Sequence, residues 1–133
     1  MSESFLVKPV GWVRSSLERR ENAPKQGSEG APDAWLDMTE SVVVALDGLA
    51  VGQDVLLITW LHQADRAVLR VRPRDDPDNP ITGVFATRSP DRPNPLGLHC
   101  VTLLEIDGPR LRVGPLEAID ATPIVDIKPV LSE

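Results

Sequence analysis

Proline and glycine interrupt the sequence so often that long helices are excluded. Its 133 residues include 13 prolines and nine glycines, and no apolar pattern with the helical period continues for the roughly 15 residues of a long helix. Proline removes a backbone donor and clashes with the preceding turn inside a helix, so the chain should fold from short segments. A chain of this length corresponds to one domain, and we therefore expect residues 1–133 to form a single domain.

Short strands, arranged as a barrel or a sandwich, are the segments that the pattern favours. The run from Asp54 to His62 is almost continuously apolar, which predicts a strand buried on both faces. One brief helix is expected from Glu40 to Leu49, with Gly48 favouring its end, and Asp107 with Gly108 predicts a hairpin turn. The other expected strands are Leu6 to Val13, Trp35 to Thr39, Ala67 to Val71, Val84 to Thr87, Leu98 to Ile106, Pro109 to Val113 and Ile124 to Ile127.

Charge and cysteine content narrow the function classes. A formal charge of −6 argues against indiscriminate nucleic-acid binding, which requires a basic surface, although four arginines cluster and three of them alternate as on one strand face. Apolar runs are shorter than the roughly 20 residues of a membrane helix, and no signal-peptide core is present. The single Cys100 lies in an apolar run, which predicts a small core residue and a reducing, cytoplasmic location. The four arginines are Arg66, Arg70, Arg72 and Arg74.

Several common cofactor motifs are absent from the sequence. It contains no G-x-G, which excludes the Rossmann dinucleotide fingerprint, and no G-x-x-x-x-G-K phosphate loop. The two histidines, His62 and His99, and the single Cys100 cannot build a closed zinc site without several carboxylates, so no metal site is expected. The usual nucleotide-binding loops are therefore excluded.

One proline-rich segment concentrates polar side chains. The residues from Gly83 to Gly97 read G-V-F-A-T-R-S-P-D-R-P-N-P-L-G, and the three prolines restrict the backbone around Arg88, Arg92 and Asn94. A loop that is stiff before binding loses little entropy when it grips a carboxylate, a phosphate or a base edge. The same segment can also serve only as a structural turn between two strands.

A second segment carries acidic and basic side chains close to the C-terminus. The residues from Leu116 to Pro129 read L-E-A-I-D-A-T-P-I-V-D-I-K-P, and they include Asp120, Asp126 and Lys128. Asp126 and Lys128 are two positions apart, so a strand would place both side chains on one face. They form either part of a binding site or a plain surface ion pair.

These two segments closely resemble the TsaA-like family of S-adenosylmethionine-dependent methyltransferases, whose namesake activity belongs to the TrmO tRNA methyltransferases. The string F-A-T-R-S-x-x-R-P-N-P-[IL]-G, within Val84 to Gly97, is a specific signal, and Ile119 to Pro129 agrees with it. The resemblance covers almost the whole chain, because other segments are similar to the family's opening strand, P-x-Q loop, central helix and His-Gln strand end. Those segments are Val10 to Ser16, Pro24 to Gln26, Ala45 to Leu49 and Trp60 to Gln63.

The resemblance implies a small closed all-β barrel with one or two short helices, which binds S-adenosylmethionine without a Rossmann fold near the interface of a homodimer. Arg88 would pair with the methionine carboxylate, Asp120 would accept from amino or ribose groups, and His62 is the candidate catalytic base. The implied cofactor-binding residues are Pro24, Lys25, Gln26, His62, Gln63, Phe85, Ala86, Arg88, Leu98, Glu117, Ala118, Ile119 and Asp120. The residues left to shape the loop or face the substrate are Arg92, Asn94, Asp126 and Lys128.

By the same resemblance, the methyl acceptor is the N6 nitrogen of threonylcarbamoyladenosine beside a tRNA anticodon. The chain ends at Glu133 without the C-terminal domain of longer tRNA-modifying members, and it is acidic. A small-molecule acceptor is therefore the alternative substrate. The non-enzymatic alternative is a domain that senses S-adenosylmethionine or binds a protein partner.

Overall fold

The chain folds into a closed barrel of six antiparallel strands, with a separate two-stranded sheet beside it. The computed structural model describes residues 3–131. Around the barrel the strands follow the order β1, β2, β7, β6, β3, β8, and β4 pairs with β5. This arrangement confirms the expected small all-β barrel. The strands are β1 Gly11–Arg14, β2 Ala34–Met38, β3 Asp54–Trp60, β4 Arg70–Val71, β5 Thr82–Gly83, β6 Leu96–Asp107, β7 Arg110–Gly114 and β8 Pro123–Pro129.

Helical structure in the described residues is limited to short 3₁₀ segments. The expected helix begins at Glu40, but it is a 3₁₀ helix and ends at Leu46. Gly48 follows it with a φ of 98°, a left-handed conformation that glycine adopts without steric cost. Within residues 3–131, no helix is long and apolar enough to cross a membrane. The remaining 3₁₀ segments are Arg20–Asn22, Gly27–Glu29, Pro73–Asp75 and Val84–Ala86.

Aliphatic side chains that alternate along the strands fill the barrel. In β3, Val55 and Leu57 point inward and are fully or almost fully buried. Each such side chain contributes roughly 1.5–3 kcal/mol through the hydrophobic effect. The intervening residues of β3 lie on the outer face and are only half-buried, so the expectation of a strand buried on both faces is wrong for the single chain. The outward residues are Leu56, Ile58 and Trp60.

Three of the expected strands are shorter or absent. The first strand begins only at Gly11, because Pro9 has no N–H for a strand ladder. Ala67 to Val71 contributes only the two residues of β4. Val84 to Thr87 is not a strand: the Thr87 N–H donates to the Val84 carbonyl at 3.0 Å, which closes a 3₁₀ turn. The expected hairpin is confirmed, since β6 and β7 pair from Asp107.

Two expectations about individual side chains are also wrong. Cys100 is exposed, because it lies on the outer face of β6 between inward-pointing neighbours. The arginines at 70, 72 and 74 do not share a strand face, because β4 ends at Val71 and Arg74 has a left-handed φ of 58°. Arg66 instead lies over the Trp60 ring, 5.1 Å from its centroid, a cation–π geometry.

Candidate functional site

A cavity of about 420 Å³, here called the larger cavity, opens where β3 ends and β6 begins. The two strands pair Trp60 with Leu96, and the Leu61 N–H continues the pairing by donating to the Pro95 carbonyl at 2.8 Å. This register brings the loops that flank both strands to one side of the barrel. The volume of the larger cavity falls within the range of small-molecule and cofactor sites. The lining comes from chain segments 20–26, 61–64, 88–92, 96–99 and 117–122.

Most of the expected cofactor-binding residues meet at this cavity, but three do not. Phe85 is 83% exposed, and Ala86 lines a neighbouring cavity. The Asp120 carboxylate accepts from the Ser15 N–H at 3.0 Å, so it tethers the segment after β1 and does not line the larger cavity. The expected residues that line it are Pro24, Lys25, Gln26, His62, Gln63, Arg88, Leu98, Glu117, Ala118 and Ile119.

The four expected substrate residues are not brought together. Asn94 accepts from the Arg66 guanidinium at 3.1 Å and lies outside both cavities. Asp126 and Lys128 pair with each other at 3.3 Å on β8, which matches the plain surface ion pair. Only Arg92 lines the larger cavity.

Arg92 acts mainly on its own loop. Its Nε donates to the Ser89 carbonyl at 2.8 Å, and its Nη2 donates to the Val84 and Thr87 carbonyls at 2.6 Å each. The guanidinium therefore ties together the backbone around Arg88. Proline content alone predicted a stiff loop, whereas the structure shows that a side chain inside the loop also holds it.

Arg88 is the cation with the greatest freedom in this region. It is exposed, and its guanidinium makes no hydrogen bond or ion pair with any residue in the described range 3–131. It lines both the larger cavity and its neighbour. A guanidinium that is held on a rigid loop and not neutralised is suited to bind a carboxylate with two parallel hydrogen bonds.

A buried network on the floor of the larger cavity was not expected from the sequence. His99 is 6% exposed, and its Nε2 lies 2.8 Å from the Thr59 hydroxyl oxygen. Its Nδ1 contacts the Glu117 carboxylate. Glu117 is the only acid among the described residues that line this cavity. The one available signal was that His99 stands two positions before Val101, on the same inward face of β6.

Gly97 makes room for this network, so Gly97→Ala is expected to destabilise the protein by about 1–3 kcal/mol through overpacking. A Cβ atom there would lie 2.5 Å from the Thr59 hydroxyl and 2.7 Å from His99 Nε2. Urea unfolding would measure the loss. Gly83→Ala is the matched control, because its Cβ would meet nothing within 4 Å. Equal stability of the two variants would contradict the role of Gly97.

A second cavity of about 310 Å³, here called the smaller cavity, adjoins the larger one. The two share a wall that includes Lys25, Gln26 and Arg88. The smaller cavity is also lined by the loop that follows β4, in which Arg72 and Arg74 lie. Basic side chains therefore surround it.

An ion pair links the proline-rich segment from Gly83 to Gly97 with the segment that follows β1. Both oxygens of Asp91 face the Arg20 guanidinium, at 3.1 and 3.2 Å, and one also accepts from the Asp65 N–H at 2.8 Å. Partial burial raises the pKa of Asp91, but the hydrogen bonds from Arg20 and Asp65 and the nearby positive charges outweigh it. The pKa therefore lies below its ordinary value of 3.8.

This lowered pKa predicts a pH dependence of stability. A carboxyl with a lower pKa in the folded state contributes stability above its unfolded pKa, and it loses that contribution as pH falls through the folded value. Asp91→Asn should therefore be less stable than the wild type near neutral pH, and the difference should shrink below about pH 4. Urea unfolding from about pH 7 to pH 2 would test this. A constant difference across the series would contradict it.

Metal-ligating side chains do not gather in this region. Across residues 3–131, no group of three or more His, Cys, Asp and Glu side chains is placed to hold a metal ion. The polar side chains that line the larger cavity are those of arginine, lysine, histidine, glutamine, serine and threonine, together with one carboxylate.

Comparisons with known proteins agree on one family. The family model of the tRNA-methyltransferase O N-terminal domain matches residues 12–133. A relative from Methanothermobacter thermautotrophicus, named a probable S-adenosyl-L-methionine-binding protein, is 44% identical over 92% of this chain and 88% of its own length. An Archaeoglobus fulgidus protein, named an S-adenosyl-L-methionine-binding protein, is 35% identical over 93% of this chain and 88% of its own length.

Solved structures give the same result for the fold. A crystal structure of TrmO from Pseudomonas aeruginosa superposes with a TM-score of 0.78 and 30% sequence identity. The match covers 98% of this chain but 56% of that one. The chain thus spans little more than half the length of the solved protein that it resembles.

Proposed function

The chain belongs to the tRNA-methyltransferase O N-terminal domain family, and on that premise we propose that it is an S-adenosylmethionine-dependent methyltransferase that binds its cofactor in the larger cavity. The observation that carries this proposal is that a cavity of cofactor size is lined both by a free guanidinium, that of Arg88, and by a carboxylate, that of Glu117. The names of two relatives as S-adenosyl-L-methionine-binding proteins support the choice of cofactor.

The lining residues fit the chemical groups of S-adenosylmethionine. Arg88 is placed to receive the methionine carboxylate. Glu117 would take the role expected of Asp120, because Glu117 lines the larger cavity and Asp120 does not. Its carboxylate would accept from the ammonium or the ribose hydroxyls. Apolar side chains of Leu98 and Ile119 would flank the adenine.

S-adenosylmethionine, when bound, supplies a methyl group on a positively charged sulfur that is a good leaving group. The protein then needs chiefly to hold the acceptor in line with that methyl group. His62 lines the larger cavity and is exposed, so its imidazole is accessible to take the proton that an acceptor nitrogen loses. His99 is buried between Thr59 and Glu117 and would act by positioning Glu117.

We infer that the acceptor is the N6 nitrogen of threonylcarbamoyladenosine next to a tRNA anticodon. The name of the family supports a tRNA substrate, and several basic residues line both cavities. A second candidate function is S-adenosylmethionine binding without methyl transfer, which the names of the relatives favour. Methylation of a small metabolite is the remaining alternative.

We propose that the protein functions in the cytoplasm. The free thiol of Cys100 is exposed, and exposed thiols stay reduced in that compartment.

We also propose that a second copy of the chain covers the outer face of β3 and β6. Monomeric proteins rarely expose a contiguous apolar patch, whereas here Leu96 and Leu98 on β6 are 48% and 46% exposed. They pair across the sheet with Trp60 and Ile58. Both leucines also line the larger cavity, so the face continues into the proposed cofactor site. A symmetric homodimer would bury this face on both copies.

Calorimetry and mass spectrometry would test the proposed function. The protein should bind S-adenosylmethionine, and it should methylate threonylcarbamoyladenosine in tRNA from a strain that lacks the modification. His62→Asn should retain cofactor affinity but lose most of the turnover if His62 is the base. Binding without transfer to tRNA or to small-molecule extracts would favour the sensing domain. Absence of binding by the folded protein would refute the methyltransferase.

A further inference from the structure

We propose that the smaller cavity binds an oxyanion of the methyl acceptor, with Arg72 and Arg74 as its binding residues. This inference rests on the proposed function, because it assigns a substrate group to the cavity beside the proposed cofactor site. The chain as a whole has a formal charge of −6, yet five cations and only two acids line this cavity. The cations are Arg20, Lys25, Arg72, Arg74 and Arg88, and the acids are Asp75 and Asp91.

The positive charge of the cavity is only partly neutralised by nearby carboxylates. Arg72 donates to the Asn79 carbonyl at 2.7 Å and to the Pro77 carbonyl at 3.4 Å, and it pairs with no carboxylate in the described part of the chain. Arg88 has no such partner either. Carbonyl contacts orient the Arg72 guanidinium but leave its charge free for an anion.

Arg20 is held by its ion pair with Asp91. The other two lining cations form ion pairs between exposed side chains, which contribute little to stability, so an anionic ligand can compete for them. Lys25 pairs with Asp75 at 3.1 Å, and Arg74 pairs with Glu29. The Arg74 hydrogen bond is the main cause that lowers the pKa of Glu29. These pairs join the loop after β4 to the loop that carries Lys25, so the cavity is formed by two linked loops.

The backbone of this loop has an unusual conformation at the cavity. Arg74 and Asp75 have φ angles of 58° and 57°, a left-handed conformation that is unfavourable for residues other than glycine and occurs preferentially at functional sites. Arg74 thereby interrupts the short 3₁₀ segment Pro73–Asp75 with non-helical backbone angles, at a point that lines the cavity. The excess of positive charge, the Arg72 guanidinium without a carboxylate partner and the left-handed backbone at Arg74 therefore all lie at the smaller cavity.

The shared wall relates this cavity to the reaction. Gln26, Arg88 and Ser89 line both cavities, so an anion held in the smaller cavity lies next to the proposed cofactor site. An acceptor that carries its oxyanion a few bonds from the reacting nitrogen would span this wall. The carboxylate of a threonylcarbamoyl group meets this requirement. A phosphate of the RNA backbone is many bonds from that nitrogen, and it is the second source of an oxyanion that the folded RNA could bring to the cavity.

Direct titration separates these two sources of the oxyanion. The probes are the threonylcarbamoyladenosine nucleoside, its methyl ester, in which the carboxylate is masked, and an unmodified anticodon-stem RNA. The double variant Arg72→Gln/Arg74→Gln removes both charges but keeps side-chain donors. Arg110→Gln on β7 is the control, because Arg110 is an exposed arginine that pairs with Asp37 away from both cavities.

We expect wild-type protein to bind the nucleoside at least about tenfold more tightly than the ester, and the double variant to lose that preference while the control retains it. The oxyanion would instead belong to the RNA backbone if the wild type binds nucleoside and ester equally and the double variant loses at least about tenfold in affinity for the unmodified RNA. If the double variant binds all three probes like the wild type, the inference is wrong. The titrations are run with and without S-adenosylhomocysteine, so that a loss of probe binding can be distinguished from a failure to bind the cofactor. A failure to bind the cofactor would refute only the proposed function.

Discussion

Arg88→Ala is expected to weaken the binding of S-adenosylmethionine by about 10- to 100-fold. A hydrogen bond to a charged group contributes roughly 1.5–3 kcal/mol, and each 1.4 kcal/mol is a factor of ten in affinity. The fold should be unaffected, because the Arg88 side chain has no partner among residues 3–131. Isothermal titration calorimetry measures the affinity, and urea unfolding measures the stability.

Two further variants make the Arg88 result specific. Arg88→Lys should also bind poorly, because an ammonium cannot reproduce the planar pair of hydrogen bonds that a guanidinium offers a carboxylate. Arg110→Ala removes the same charge from a site outside both cavities, and it should bind like the wild type. Unchanged affinity of Arg88→Ala would reject the assigned contact.

Ile58→Asp is expected to dissociate the proposed homodimer, raising its dissociation constant by more than about 100-fold. Ile58 lies at the centre of the outer face, opposite Leu98, where a buried and unpaired carboxylate would cost several kcal/mol. Sedimentation velocity would measure the oligomeric state across a dilution series. Because Leu98 lines the larger cavity, cofactor affinity should fall together with dimerisation.

Val44→Asp is the matched control for the interface. It places the same charge on an apolar residue that is 79% exposed in the 3₁₀ helix Glu40–Leu46, outside the β3 and β6 face. This variant should remain dimeric. A wild-type protein that is monomeric at high micromolar concentration would contradict the proposed dimer.

The barrel could be predicted from the sequence because its signals are local. Turn residues delimit the strands, and alternation marks the inward faces. The exception is in β3. Leu56, Ile58 and Trp60 are as apolar as the core residues between them, so the sequence could not reveal that the described chain buries them only partly. The expected strand from Val84 to Thr87 is absent for another reason. The Arg92 side chain donates to the Val84 carbonyl, which a neighbouring strand would need as an acceptor.

The site was predictable only where a motif carried it. Arg88 and His62 stand in strings that the family resemblance singled out, and both line the larger cavity. His99 had no such string: its partner Thr59 is 40 positions away, and only the pairing of β3 with β6 brings the two together. Asp120 was assigned to the cofactor by the family resemblance, and nothing in the sequence shows that its carboxylate accepts from the Ser15 N–H.

The three carbonyl contacts of Arg92 also constrain which amino acids can occupy that position. One planar group serves carbonyl oxygens of Ser89, Val84 and Thr87 through two of its nitrogens, and a single ammonium on a flexible stem cannot reproduce that geometry. In a saturation library selected for folded protein, lysine should therefore be depleted at 92 but tolerated at the solvated Arg70. Intolerance to substitution would make position 92 resemble a ligand-binding position, although the hydrogen bonds of Arg92 are made within its own loop.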